Sequence, residues 1–315
     1  MTNTILLALV PIFFVMVLGY GAGRLRIVDN HHVEGLNALV MNFALPASLF
    51  AATASAPRNE LFAQVPLFVV LGVVMMVVFL LAWYWLQYRS SEVSRADASL
   101  QALTIAFPNL AGVGLPILSD VLGPAGTVPV AVALASGSIL VSPLALILVE
   151  LSGKGGGTAT PTARMRSALW HALTKPVVLA PALGILFSLC ELKTGRIIEA
   201  CLLLIGQAAP GVALFLTGLI LSGQSFRSNW TVVGAIGLGN IIRPLLTAAV
   251  VFVLPVPSET AKVAILLSAL PSGFFGILFA VNYKLDSATV GSIVIASTGF
   301  SIVTMAIAIA VLFPS

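Results

Sequence analysis

Long apolar stretches with at most one charged residue recur along almost the whole chain and limit its fold more than any other feature. A helix needs about 20 apolar residues to cross about 30 Å of hydrocarbon. Ten stretches are long enough: 4–23, 36–54, 62–86, 98–119, 127–149, 169–189, 197–222, 230–254, 260–281 and 288–313. Hydrophobic residues make up 59% of the chain and charged residues 8%, and the mean hydropathy is +1.10, which excludes a soluble globular protein. The sequence therefore predicts an all-α integral membrane protein with ten transmembrane helices.

Basic residues are divided unequally between the loops that join these stretches. If the N-terminus is outside, ten fall in inner loops: Arg24, Arg26, Arg89, Arg95, Lys154, Arg164, Arg166, Lys175, Arg227 and Lys284. Four fall in outer loops: Arg58, Lys193, Arg196 and Lys262. Lysine and arginine accumulate in cytoplasmic loops, so both termini are predicted to lie outside. The net charge of +4 is explained by this orientation, and no nucleic-acid site is predicted.

Two of the stretches carry a proline at their centre. In "AFPNLAGVGLP" Pro108 precedes Asn109, and in "ILLSALPSGFFGILF" Pro271 precedes Ser272. Lipid offers no water to the backbone groups that proline leaves unpaired, so such a break needs protein or a wet cavity around it. Both breaks therefore indicate a buried functional site.

A second pair of prolines repeats at almost the same spacing. Pro46 in "ALPASLF" and Pro210 in "AAPGVALF" are separated by just one position more than Pro108 and Pro271. Two nearly equal offsets predict an internal repeat, with one five-helix unit at 1–151 and another at 169–315. Five is an odd number, so the second unit enters the membrane inverted. The polar, glycine-rich segment 152–168 is predicted to be a cytoplasmic linker between them.

The residues next to the central prolines suggest what the breaks do. Asparagine and serine are favoured N-cap residues, so each break is predicted to end one half-helix and cap the next. The N-terminus of a half-helix carries a partial positive charge and attracts anions. Gly112, Gly114 and Gly273 leave the nearby backbone open to a small ligand. Matching breaks in inverted repeats are typical of secondary transporters, whereas either break alone could be an ordinary kink.

Arg243, in "GNIIRPLL", is the only ionisable residue deep within a predicted span. Burying it costs on the order of 3 kcal/mol on insertion scales, so it should face a partner inside the protein. Asn240 lies one turn earlier on the same face, and Pro244 frees its carbonyl, so Asn240 is predicted to add polar groups to the substrate site. Two roles are open for Arg243: the counter-charge of an anionic substrate, or a structural clamp on freed backbone carbonyls.

Catalytic and metal-binding patterns are missing from the sequence. Neither a nucleophile with its base nor paired carboxylates occur at depth, so no enzyme is predicted. His31, His32 and His171 lie in or beside inner loops with too few further ligands for a metal site, and no cofactor is predicted. Cys190 and Cys201 flank an outer loop and are interpreted as small buried apolar residues in preference to a disulfide.

The motifs together resemble those of the auxin efflux carrier family, including its bacterial malonate and malate permease-like members. The resemblance rests on "NFALPASLF", "FPNLAGVGLPIL", "LTGLILS" and "LPSGFFGILFAVNY" and covers essentially the whole chain. It implies the architecture of the bile acid/sodium symporters, in which helices four and nine cross at prolines and one domain moves against a scaffold. It also implies a dimeric carrier of small organic anions in the bacterial inner membrane, with Asn109 in the position expected to hold a carboxylate.

The sequence departs from the family pattern at a position that bears on the expected substrate. Ser272 stands where plant members have an asparagine, which argues for a smaller substrate than an indole acid. The resemblance to bacterial members implies a malonate-like dicarboxylate as the first expectation, with an auxin-like monocarboxylate as an alternative. A passive anion channel and a receptor remain as other classes, although a receptor would usually carry a soluble output module. H⁺ and Na⁺ both remain open as coupling ions, since backbone carbonyls that hold Na⁺ leave no side-chain signature.

Overall fold

The computed structural model describes residues 2–30, 33–89, 93–152, 166–167, 170, 174–224, 226, 229–283 and 285–313. Within these ranges the regular structure is helical, apart from one isolated β-bridge. Helices lie over each of the ten predicted apolar stretches. Six of the described helical stretches are long and apolar enough to cross a membrane. The prediction of a helical membrane protein is confirmed, whereas the ten-span inverted repeat stays a prediction.

The helices are numbered here in chain order. The first part of the chain forms α1 (Thr2–Arg24), α2 (Glu34–Leu39), α3 (Leu45–Ser55), α4 (Arg58–Ala63), α5 (Val65–Arg89), α6 (Arg95–Ala106), α7 (Leu115–Leu122) and α8 (Thr127–Leu151). The second part forms α9 (Pro176–Leu189), α10 (Arg196–Gly206), α11 (Ala209–Gly223), α12 (Trp230–Ile236), α13 (Arg243–Val253), α14 (Ser258–Ser268), α15 (Phe275–Asn282) and α16 (Ser287–Leu312).

Three π-helical turns widen this helical pattern, and each precedes a proline. They are Val40–Ala44, Leu110–Gly114 and Gly237–Ile242, followed by Pro46, Pro116 and Pro244. A proline within a helix donates no hydrogen bond, and its ring clashes with the carbonyl four residues earlier. In all three cases that carbonyl belongs to a residue inside the π turn. The wider turn therefore accommodates the proline without ending the helix.

Packing divides the helices into two groups. In one group α1 packs closely on α11, and α3 packs on α9 and α10. In the other, α5, α6 and α8 pack together, α13 packs on α5 and α14, and α15 and α16 pack on α6. The π turn Leu110–Gly114 contacts α11, so the broken helix α6–α7 lies where the groups meet. Nearly every residue of α6 is buried, which places it at the centre of the molecule.

Candidate functional site

The two proline breaks cross each other at the centre of the fold. Helix α6 ends at Ala106 and α14 ends at Ser268, and both helices are followed by a short non-helical segment that contains the central proline. Pro108 forms an isolated antiparallel bridge with Ser272. The bridge is made by two hydrogen bonds of 2.8 Å, from Asn109 N–H to the Pro271 carbonyl and from Gly273 N–H to the Phe107 carbonyl. The structure thus brings together two segments that lie in opposite halves of the sequence.

Asn109 caps the helix that follows the first break, as predicted. Its Oδ1 accepts a hydrogen bond of 3.0 Å from Gly112 N–H, at the start of the π turn that leads into α7. Its Nδ2 is buried and has no hydrogen-bond partner. An amide group buried without a partner costs about 1–3 kcal/mol, so this donor is suited to an acceptor that binds from outside the protein.

Ser272 does not cap a helix, and the prediction that it would is wrong. Helix α15 begins three residues later, at Phe275, and the Oγ of Ser272 is buried without a partner. Its backbone N–H donates over 2.8 Å to Ser297 Oγ of α16. The backbone of this break is therefore held by a neighbouring helix, and the buried Ser272 hydroxyl takes part in none of the described hydrogen bonds.

Asn240 supports this arrangement from a third helix. Its Oδ1 accepts a hydrogen bond of 2.6 Å from Ser297 Oγ, and its Nδ2 donates over 3.1 Å to the Ser297 carbonyl. Both ends of the Asn240 amide are thus engaged with α16. The predicted contact between Asn240 and a substrate would require these bonds to break, and the observed geometry links Asn240 to Ser272 through Ser297.

Arg243 is fully buried and lies against the ends of both broken helices. Its Nε donates over 2.8 Å to the Ser268 carbonyl, and its Nη2 donates to the Leu270 carbonyl. Its Nη1 donates over 2.7 Å to the Ile105 carbonyl and over 3.4 Å to that of Ala106. Among the described residues no carboxylate lies within 4.0 Å of the guanidinium. Every hydrogen bond described for this cation therefore goes to a backbone carbonyl.

Glycines allow the close approach at the crossing. A Cβ added at Gly273 would lie 2.9 Å from the Phe107 carbonyl oxygen and 3.1 Å from that of Pro108. A Cβ added at Gly112 would lie 2.7 Å from Asn109 Oδ1 and 3.1 Å from Thr217 Oγ1. Both glycines are thus needed for contacts within the protein, whereas their predicted role in leaving the backbone open to a ligand stays a prediction.

Other predicted residues lie further from the crossing. Pro46 lies in the first turn of α3 after a π turn, and Pro210 in the first turn of α11 after a break in the helix. Both cysteines are free and exposed, so their interpretation as buried residues is wrong. His31, His32, His171 and almost all of the linker 152–168 lie outside the described residues. Within the described chain, no group of three potential metal ligands is found.

Two residues at the site were not predicted individually. Thr217 of α11 lies beside Asn109, and Ser297 of α16 holds the backbone of Ser272. Thr217 belongs to the quoted motif "LTGLILS", so the motif carried a signal for it. Ser297 lies among several small polar residues of an apolar helix, a pattern that more often serves helix packing than binding.

Comparison with known proteins places these features in a family. Residues 4–309 match the Mem_trans family model, described as membrane transport protein. The chain is 30% identical over 293 residues to the uncharacterized transporter YfdV of Escherichia coli, covering 93% of each chain. It is 26% identical to an uncharacterized transporter of Methanothermobacter thermautotrophicus, covering 96% of each. Auxin efflux carrier component 8 of Arabidopsis thaliana is 23% identical, with 88% of this chain and 89% of the carrier covered.

Proposed function

The chain belongs to the Mem_trans family of membrane transport proteins, which includes the auxin efflux carriers, and from this premise we propose that it is a secondary active transporter of small organic anions. The observation that carries the proposal is the pair of buried, unpartnered groups at the crossing, Asn109 Nδ2 and Ser272 Oγ. An amide nitrogen is only a donor, and a hydroxyl can donate as well. A carboxylate offers the acceptors that both groups lack.

The electrostatics of the crossing favour a negative ligand. The π turn and helix that follow Asn109 direct their first backbone N–H groups towards the break, and a helix start carries a partial positive charge. Arg243 adds a full positive charge on the carbonyl side of the same crossing. With no carboxylate beside that guanidinium in the described part of the chain, the local field attracts anions.

Transport by alternating access fits the burial of the site. Asn109 and Ser272 are 2% and 0% exposed, so a ligand reaches them only if helices move. Helix α1 packs more closely on α11, and α3 on α9 and α10, than any of them packs on α8 or the remaining helices. This difference supports an elevator movement, in which one group carries the crossing past the other. A passive channel would instead leave its binding groups open to water.

A malonate-like or malate-like dicarboxylate is the proposed substrate, based on the resemblance to bacterial permeases. An auxin-like monocarboxylate is the second candidate, because related plant proteins are named auxin efflux carriers. On the same resemblance we propose a homodimer in the bacterial inner membrane. The distribution of basic residues supports termini in the periplasm, and the proline offsets support repeats at 1–151 and 169–315. No organic cofactor is proposed, and H⁺ and Na⁺ are both candidate coupling ions.

Counterflow in proteoliposomes tests the proposal. Purified protein is reconstituted with internal unlabelled malonate, and uptake of labelled malonate is measured with malate, acetate and indole-3-acetate as competitors. Saturable uptake with competition by malate is expected, and H⁺ and Na⁺ gradients are then imposed separately. Asn109→Asp is the matched variant, because it keeps the capping oxygen and replaces the donor with a negative group. Absence of saturable uptake for every anion, or full activity of Asn109→Asp, would contradict the proposal.

A further inference from the structure

The carbonyls that bind Arg243 have lost their usual partners because of the two breaks. In a continuous helix the Ile105 carbonyl would accept from Asn109 N–H, but that group donates to Pro271 instead. The Ser268 carbonyl would accept from Ser272 N–H, but that group donates to Ser297 Oγ. Each break therefore leaves a carbonyl without its helical hydrogen-bond donor at the end of a half-helix, where the partial charge is negative.

The two carbonyls occupy matching positions. Ile105 precedes Pro108 by the same number of positions as Ser268 precedes Pro271. Arg243 Nη1 lies 2.7 Å from the first oxygen and its Nε lies 2.8 Å from the second. The planar guanidinium has its donors in a fixed fork, so one side chain can join both ends at once. A single cation thus bridges equivalent points of the two broken helices.

Carbonyls of unwound helices are also the groups with which secondary transporters coordinate Na⁺. We infer that Arg243 is a tethered cation that occupies this carbonyl cluster permanently, so that it positions the crossing and makes transport independent of sodium. Its donors are used by backbone oxygens, which makes it a positioning residue and leaves substrate contact to Asn109 and Ser272. The part of this inference that concerns transport rests on the proposed function, whereas the part that concerns the crossing does not.

Removal of the side chain provides the first test. In Arg243→Ala four carbonyls lose a charged donor, so the melting temperature in detergent should fall by about 10 °C. Millimolar guanidinium or Na⁺ should restore at least half of this loss by entering the vacated site. The melting temperature of the wild type should be the same in sodium and choline chloride. Hydrogen exchange within 103–112 and 266–275 should accelerate in the variant and slow again when guanidinium is added.

Two further variants keep the test decisive. Thr247→Val is the matched control, because Thr247 is buried one turn later on α13 and its hydroxyl bonds only the Arg243 carbonyl among the contacts described. It should show no response to guanidinium or Na⁺. Arg243→Lys keeps the charge but loses the fork, so it should melt between the wild type and Arg243→Ala. If Arg243→Ala does not fold, Arg243→Lys still decides the question. Melting below the wild type with faster exchange in 103–112 and 266–275 supports the inference, and unchanged melting and exchange contradict it.

Transport then separates the inference from the proposed function. Counterflow of labelled malonate by the wild type should be equal in sodium and choline, while Arg243→Ala should gain a dependence on Na⁺ or guanidinium. A sodium requirement in the wild type would overturn the inference. The inference would also be overturned if Arg243→Lys and Arg243→Gln melted and exchanged like the wild type but no longer preferred dianions to monoanions. That result would make Arg243 a substrate-binding residue. If malonate is not transported at all, the melting and exchange measurements still test whether Arg243 stabilises the crossing.

Discussion

Asn109 uses one half of its amide for the helix start and leaves the other half without a partner. The capping bond runs from Gly112 N–H to Oδ1, and Nδ2 is buried and unpaired. Ser272 has a single unpaired hydroxyl in the opposite break. Asn109 can therefore donate to a carboxylate through an amide nitrogen, and Ser272 through a hydroxyl. The contributions of these two groups to binding can be measured separately.

Truncation of the two side chains should have unequal effects. Asn109→Ala removes a hydrogen bond to a charged group, worth about 1.5–3 kcal/mol, and should weaken binding by roughly 10-fold to 100-fold. Ser272→Ala should weaken it by roughly 10-fold or less, because only one hydroxyl is lost. Affinity for labelled malonate in detergent measures both. Equal effects, or none from either variant at normal expression, would remove the crossing from the substrate site.

Among the structural elements, the two breaks contact each other directly through their backbones. Gly273 N–H bonds the Phe107 carbonyl, and a Cβ at Gly273 would meet two backbone oxygens at about 3 Å. Backbone atoms cannot rotate aside as a side chain can. The crossing therefore tolerates no side chain at this position without a shift of one broken helix against the other.

Substitution of Gly273 should destabilise the protein more than substitution of a glycine with open space around it. Gly273→Ala should lower the melting temperature, because overpacking typically costs about 1–3 kcal/mol, and should abolish counterflow as the bridge opens. Gly237→Ala is the control, since a Cβ there meets nothing within 4 Å, and it should melt at or slightly above the wild-type temperature. Scanning calorimetry of both variants measures the difference. A Gly273→Ala protein that is as stable and active as Gly237→Ala would contradict the crossing described here.

Helices α1 and α11 approach each other at the distance that only glycine allows. A Cβ at Gly218 would lie 1.9 Å from the Met16 carbonyl oxygen, and one at Gly19 would lie 2.0 Å from that of Phe215. Gly218→Ala should therefore destabilise the protein by about 1–3 kcal/mol through forced separation of the helices. Gly21→Ala, with open space around its Cβ, should be neutral or mildly stabilising. Melting temperatures in one detergent compare them, and equal values would refute the close packing.

For the whole molecule, orientation in the membrane determines which end of the crossing faces the cytoplasm. The basic residues predict an outer loop at Lys193 and an inner loop at Arg95, and both residues are exposed. The same assignment places both termini outside. The orientation also tests whether the two units are inverted. Units of five spans each start on opposite sides of the membrane, because five is an odd number.

Accessibility of introduced cysteines should report this orientation. In a background with Cys190→Ser and Cys201→Ser, Lys193→Cys should react with an impermeant maleimide in intact cells. Arg95→Cys should react only after the membrane is opened, and Arg164→Cys in the linker should behave in the same way. Labelling of Arg95→Cys in intact cells would reverse the topology and remove the argument for inverted units.

The positions of the helices and of the breaks were determined by the sequence itself. Ten apolar stretches predicted where helices lie, because the cost of exposing a polar backbone to lipid acts on each stretch separately. Pro108 and Pro271 marked the breaks for the same reason, since a missing N–H is a property of one residue. The cap formed by Asn109 also depends on residues only three positions apart, and it was predicted correctly.

Only the tertiary structure decided which groups meet at the crossing. Ser272 was expected to cap a helix, but its backbone N–H is taken by Ser297, 25 residues away. Arg243 could have faced an anion or backbone oxygens, and its partner Ile105 lies 138 residues away in the chain. The burial cost of a guanidinium is the same for either partner, so composition and spacing cannot distinguish them. The distances between packed helices do, because a hydrogen bond is made only when donor and acceptor come within about 3 Å.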